Sequence, residues 1–261
     1  MTAYEHGVHS ELVQCVIMRE RTGMYRLYPC YRMYFQDNDK LVMVAQKHAK
    51  SRTSNYHIFD MHRPGAGPGS VLRKKSGNYL GKLRANYKRT ENVILTNDRD
   101  REEMGAILFE RPGLVDQMRD GSQPRKFAVA LPAAAEDGAP LPHRVDPFVS
   151  AEAGEEDSGS GGFSGGFGGP SLVEKLKAGQ TQGLVLLETK EPSYENGNYR
   201  LNFRGRVTVP SVKNFQLVRP GEPGLVLCQF GKVADDRFHL DYRGICAFQA
   251  FAIALAQFNF N

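Results

Sequence analysis

The stretch NYLGKLRANYK, residues 78–88, sets two cations two positions apart at Lys82 and Arg84. In a β-strand, alternation sends Leu80, Lys82, Arg84, Asn86 and Lys88 to one face and Tyr79, Gly81, Leu83, Ala85 and Tyr87 to the other. Lys82 and Arg84 then project side by side. A planar guanidinium can bridge phosphate oxygens while a neighbouring ammonium supplies a compact charge, so the pair suits a phosphorylated anion. A merely solvated polar face would carry the same series of residues.

The surroundings favour the anion. Lys and Arg outnumber Asp and Glu by only 34 to 29 over the 261 residues, but the excess is concentrated. Between Lys40 and Thr90 stand twelve Lys or Arg against Asp60 alone. Lys47, Lys50, Arg52 and the run Arg73-Lys74-Lys75 belong to this segment and would attract an anionic surface at long range. Asn55, in TSNY, reads on sequence alone as readily as a turn or strand-end residue as it does as a ligand. His48 beside these cations reads as an ordinary exposed polar residue.

Constellations for catalysis are missing from the sequence. GAGPGS at 65–70 is interrupted by Pro68 and followed by no helical pattern, so it is read as a loop and not a phosphate cradle. Asp235 and Asp236 are adjacent, hence on opposite faces of a strand, and read as structural. There is no GxSxG, HExxH or Cys/His metal spacing. No enzyme activity, metal or cofactor is expected.

Short β-rich runs must position the basic residues. They recur at 12–18, 41–45, 55–59, 78–87, 106–109, 126–131, 184–187, 198–207, 225–230 and 237–240, punctuated by pairs such as Asp120-Gly121 and Asn196-Gly197. Roughly ten to twelve strands predict a barrel or sandwich in one domain spanning residues 1–261. Residues 133–170 break the pattern: they are rich in Gly, Ser, Ala and Pro, with seven acids against Arg144, and predict a disordered insertion. The end of the chain, ICAFQAFAIALAQF at 245–258, has no polar stripe, Gln249 and Gln257 being its polar interruptions. A helix apolar all round must be enclosed, and among short strands the natural enclosure is the lumen of a closed barrel.

The four cysteines are scattered, and the first residues, MTAYEHGVHSELVQ, carry no signal-peptide core. Reduced thiols and a cytosolic chain are expected. No run reaches the roughly 18 apolar residues of a spanning helix, so any membrane contact is expected to be peripheral.

RVTVPSVKNFQLV at 206–218, QFGKVADDRFHLDY at 229–242 and CAFQAFAIALAQF at 246–258 closely resemble the tubby C-terminal domain. KSRTSNYHIFD at 50–60, NYLGKLRANY at 78–87 and PRKFAVALP at 124–132 follow in the matching order, so the resemblance covers nearly everything outside 133–170. It implies a mainly β fold, a closed antiparallel barrel of about 12 strands enclosing a central hydrophobic C-terminal α-helix. It also implies binding of phosphoinositides, notably phosphatidylinositol 4,5-bisphosphate. The Lys and Arg of the GKLR motif carry over as Lys82 and Arg84, and the TSNY asparagine as Asn55. The remaining basic ligand corresponds to Arg101, with Arg99 as a substitute.

The expected function is a peripheral membrane module at the inner face of the plasma or ciliary membrane, acting as a releasable signalling or trafficking adaptor with cargo proteins as further partners. A monomer is expected. The sequence departs from animal members in ending at Phe260-Asn261 without their short cysteine-containing terminus. The competing reading is a nucleic-acid-binding transcription regulator active in the nucleus, which the basic segment would allow. Against it, the aromatic residues near the basic pair, Tyr79 and Tyr87, are expected to face away from Lys82 and Arg84.

Overall fold

An apolar helix of ten residues cannot stand in water, and the strands of the described residues are arranged to cover one. The computed structural model of the protein describes residues 11–48, 55–63, 72–97, 102–110, 125–135, 141, 143–145, 169–195 and 198–259. Its strands are β1 (Val13–Glu20), β2 (Cys30–Phe35), β3 (Leu41–Lys47), β4 (Asn55–Asp60), β5 (Tyr79–Ala85), β6 (Glu91–Thr96), β7 (Glu102–Phe109), β8 (Phe127–Pro132), β9 (His143–Arg144), β10 (Leu184–Thr189), β11 (Ser193–Glu195), β12 (Asn198–Arg200), β13 (Phe215–Val218), β14 (Cys228–Ala234) and β15 (Arg237–Tyr242). A short helix covers Leu172–Lys177, and the central helix covers Ala247–Ala256.

Twelve of the strands form one ring in the order β6-β5-β4-β3-β2-β1-β15-β14-β13-β10-β8-β7, closed by pairing of β7 with β6. Every pairing between these strands is antiparallel. This is the closed 12-stranded barrel expected from the sequence. Strand β9 adds to the outside of the ring on β7, and β11 and β12 form a separate hairpin. Residues 143–145 and 169–170 belong to the stretch expected to be disordered. Here His143–Arg144 pairs with Glu102 and Glu103, and Val145 bridges Gly169. Most of that stretch lies outside the described residues.

A barrel of eight strands is filled by its own side chains, whereas twelve leave a lumen wide enough for a helix. All ten residues of the central helix are buried, packed with Ile17, Met33, Ile58, Leu83, Ile94, Ile107, Val129, Leu217, Phe230 and Leu240 from strands around the ring. Its polar groups are met inside. Gln249 donates to the Met104 carbonyl at 2.9 Å and accepts from the Cys246 amide at 3.1 Å. At the C-terminal end, where carbonyls lack helical partners, Arg125 donates to the Gln257 carbonyl at 2.7 Å and Arg89 to the Asn259 carbonyl at 3.3 Å.

Two patches on the outer surface of the barrel are covered as well. Cys30, Val44, Phe59, Met61 and Tyr79 cluster under Tyr25, Leu41 and Leu72. The short helix packs Leu172 and Val173 on Ala106 and Val93, and Glu103 of β7 accepts from the Leu172 amide at 2.7 Å. Burial raises the Glu103 carboxyl to about 7.

One strand departs from simple alternation. Ile58 pairs with Gly81 but Phe59 pairs with Tyr79, so Leu80 is an extra residue in β5. The bulge turns Leu80 into the barrel core and Tyr79 to the outer patch, the reverse of what strict alternation predicts. From Gly81 onward the alternation is as expected. Gly81 itself has no room for a side chain: a Cβ there would lie 2.0 Å from the Leu95 carbonyl oxygen and 2.9 Å from Cζ of Phe248 on the central helix. Gly81→Ala is therefore expected to cost about 3 kcal/mol or more in chemical denaturation. An unchanged denaturation midpoint would contradict the close approach.

Candidate functional site

The bulge at Leu80 fixes which residues of β4 and β5 face outward together. Asn55 lies directly across from Arg84, and His57 directly across from Lys82. Paired residues across antiparallel strands stand about 5 Å apart and next-but-one residues along a strand about 7 Å. The four side chains therefore make a small rectangle, half-buried at every corner, on the outer wall of the barrel. Two of its corners are fixed cations. A face with two neighbouring cations is suited to an anion that carries more than one negative charge.

The rectangle is bounded on both sides by apolar cover. Beyond β5, Val93 of β6 sits opposite Arg84 and is packed under the short helix. Along β4 and β5 in the other direction lie Phe59 and Tyr79, under Tyr25 and Leu72. Apolar walls of this kind lower the local dielectric and strengthen a charge-assisted hydrogen bond made between them. Arg84 has no carboxylate partner among the described residues.

His57 shares this face although its sequence context gave no reason to single it out. Its ring lies 5.0 Å from that of His48 and 5.5 Å, edge to face, from Tyr79. Burial lowers its pKa from 6.5 to about 4, helped by the positive fields of Lys74, His48 and Lys82. At neutral pH it is an uncharged group that can donate or accept, set among cations. Only the register of β4 on β5 reveals it. Alternation from Asn55 would have placed residue 57 on the same face, but not opposite Lys82.

Of the other residues named from the sequence, some are placed away from this face and some lie outside the described residues. Lys47 pairs with Tyr56, whose side chain is buried in the barrel core, so Lys47 projects at the barrel end and not onto the face of Lys82. It is half-buried there, and its pKa is lowered first by burial and then by Arg89. Arg101, Arg99, Lys50 and Arg52 lie outside the described residues. Asp235 and Asp236 hold structural ion pairs, Asp235 with Lys232 at 2.7 Å and Asp236 with Arg19 and Arg21 at 2.6 and 2.9 Å. All four cysteines are free and buried, and burial raises each thiol's pKa. Among the described residues no cluster of His, Cys, Asp and Glu could hold a metal ion, and no helix is long and apolar enough to cross a membrane.

A closed barrel of twelve strands around an apolar helix, with GKLR on its wall, is matched by one family model, described as Tub family, over residues 4–260. The chain belongs to the Tub family. It is 34% identical over 272 residues to tubby-related protein 2 of Mus musculus, a match covering 95% of this chain and 42% of that protein. Tubby-related protein 3 of Homo sapiens is 33% identical over 280 residues, covering 98% of this chain and 55% of that protein. Protein king tubby 2 of Culex quinquefasciatus is 34% identical over 256 residues, covering 95% and 54%. This Tub family chain thus spans about half the length of these relatives, none of which is named as an enzyme.

The depressed His57 pKa has a consequence for stability. Between about pH 6.5 and pH 4 the unfolded chain takes up a proton at this residue that the folded chain refuses, so the folded state loses stability as pH falls through that window. His57→Gln is expected to lose less stability than the wild type between pH 7 and pH 4.5 in thermal melts. Parallel losses in the two proteins would contradict the burial of a neutral His57 among cations.

Proposed function

We propose that this chain is a phosphoinositide-binding module that takes the headgroup of phosphatidylinositol 4,5-bisphosphate on the rectangle of Asn55, His57, Lys82 and Arg84. The observation that carries this reading is the placement of Lys82 and Arg84, two residues apart on one outward face, with Asn55 directly across from Arg84. The headgroup is a ligand and not a substrate, since the face offers cations and amide donors but no nucleophile with an activating base. Arg101 completes the set by its position in the family motif, and Lys47, Lys50 and Arg52 contribute attraction to an anionic leaflet. Bound to the inner leaflet of the plasma or ciliary membrane, the module would act as a signalling or trafficking adaptor, released when the lipid is consumed.

Tub family membership supports this reading, and so does the chemistry of the face. Phosphate recognition by a neutral imidazole, a guanidinium, an ammonium and a carboxamide needs all four groups on one side of the sheet. The β4–β5 register puts them there without any loop rearrangement. A nucleic-acid backbone would bind the same cations, but would be ordered by charge alone.

Liposome co-sedimentation at physiological salt separates the two. The wild type is expected to prefer phosphatidylinositol 4,5-bisphosphate over its 3,4 isomer and over phosphatidylserine. Lys82→Ala/Arg84→Ala is expected to weaken that binding about a hundredfold or more while leaving the melting temperature nearly unchanged. Binding that follows charge alone and ignores the double substitution would overturn the proposal and favour a generic polyanion.

A further inference from the structure

The end of the barrel beside the rectangle carries apolar side chains in water. Strands β1, β3 and β5 finish there, and β2, β4 and β6 begin there, as their antiparallel registers require. Two described connections therefore lie at this end, residues 21–29 and 86–90. In the first, Met24 is 83% exposed and Leu27 79% exposed, and at the tip of the second Tyr87 is 83% exposed. These are the three most exposed large apolar side chains among the described residues, and their shared end is a candidate contact surface.

The first connection is held in place. A single 3-10 turn at Gly23–Tyr25, with the Tyr25 amide donating to Thr22 O at 3.0 Å, directs Tyr25 down onto the outer patch of Cys30, Val44, Phe59 and Tyr79. The Arg32 guanidinium stands 5.8 Å from the centre of the Tyr25 ring. Tyr79 in that patch is the same ring that meets His57. The loop is therefore anchored next to the headgroup rectangle while Met24 and Leu27 point away from the protein.

Charge identifies the partner. Several acids at this end are engaged, Glu20 with Arg32, Glu91 with Lys177, and Asp236 with Arg19 and Arg21, while the exposed Glu110 has no ion pair among the described residues. Arg26 and Lys88, on the two apolar-tipped connections, have no carboxylate partner among the described residues, and neither does Arg84. Apolar tips interleaved with uncompensated cations match the boundary of an anionic bilayer, where acyl chains lie directly beneath phosphate. A tyrosine at such a tip sits well at headgroup depth.

We infer that the 21–29 connection is a membrane-inserting loop, with Met24 and Leu27 entering the acyl boundary of an anionic bilayer and Tyr87 resting at its interface while the headgroup occupies Lys82 and Arg84. This rests on the headgroup reading above and extends it: the rectangle selects the lipid, and the loop supplies affinity for the bilayer that a soluble headgroup cannot report.

The sequence contains no tryptophan, so Leu27→Trp places a single indole reporter in the loop. With vesicles of phosphatidylcholine and phosphatidylinositol 4,5-bisphosphate, its emission is expected to shift to the blue and to be quenched by lipids brominated in the acyl chain. Met24→Ser/Leu27→Ser is expected to bind the same vesicles about tenfold or more weakly, with unchanged affinity for soluble inositol 1,4,5-trisphosphate. The inference is overturned if the indole stays solvent-like on vesicle-bound protein, or if the double variant binds vesicles as well as the wild type. A blue shift that appears without lipid and grows with protein concentration would overturn it in favour of a second copy of the chain. A wild type that ignores the soluble headgroup overturns the headgroup reading itself, and with it this extension.

Discussion

Enclosure of an apolar helix is the constraint on which the rest of the molecule depends. Ala247–Ala256 has no face that water would tolerate, so twelve strands must close around it. Closure in turn removes free sheet edges from the ring and fixes the register of every strand against two neighbours. Even the helix ends are drawn into this arrangement, since Arg125 and Arg89 come from the wall to meet the last carbonyls. Burial inside and register on the wall are one problem, solved together.

The candidate site inherits its rigidity from that solution. Gly81 lets β5 pass within contact of Phe248, and the bulge just before it sets the phase of the outward residues. Lys82 and Arg84 are consequently held on a wall backed by packed core, with their geometry independent of any loop. Such preorganisation lowers the ordering cost of binding, because the cations need not be gathered when the ligand arrives. His57, held neutral chiefly by its burial, adds no further positive charge beside Lys82 and Lys74.

The central helix was legible because uniform apolarity has few explanations in a chain of short strands. The shared outward face of Lys82 and Arg84 was legible from alternation, whereas Asn55 was singled out by the family motif alone. Other elements were hidden for physical reasons. Strand β13, Phe215–Val218, is four residues long and buried throughout, its polar Gln216 included, so it offers too short an alternation to read. Strand β6 has Val93 beneath the short helix as well as Ile94 in the core, which blurs the same signal. In 198–207 the alternating pattern yields a strand only at Asn198–Arg200, and the chain then turns through Arg204 and Gly205, both at positive φ. The bulge at Leu80 left no local mark, and His57 could be assigned to the site only once β4 was paired with β5.

The most direct test of the account is nuclear magnetic resonance mapping of a soluble inositol 1,4,5-trisphosphate on the isotopically labelled chain. The account predicts that perturbations concentrate on the outward residues of β4 and β5, with Asn55, His57, Lys82 and Arg84 responding at one common affinity, and that the His57 ring responds with them. Perturbations spread over the basic connections in proportion to charge, with β4 and β5 silent, would contradict it.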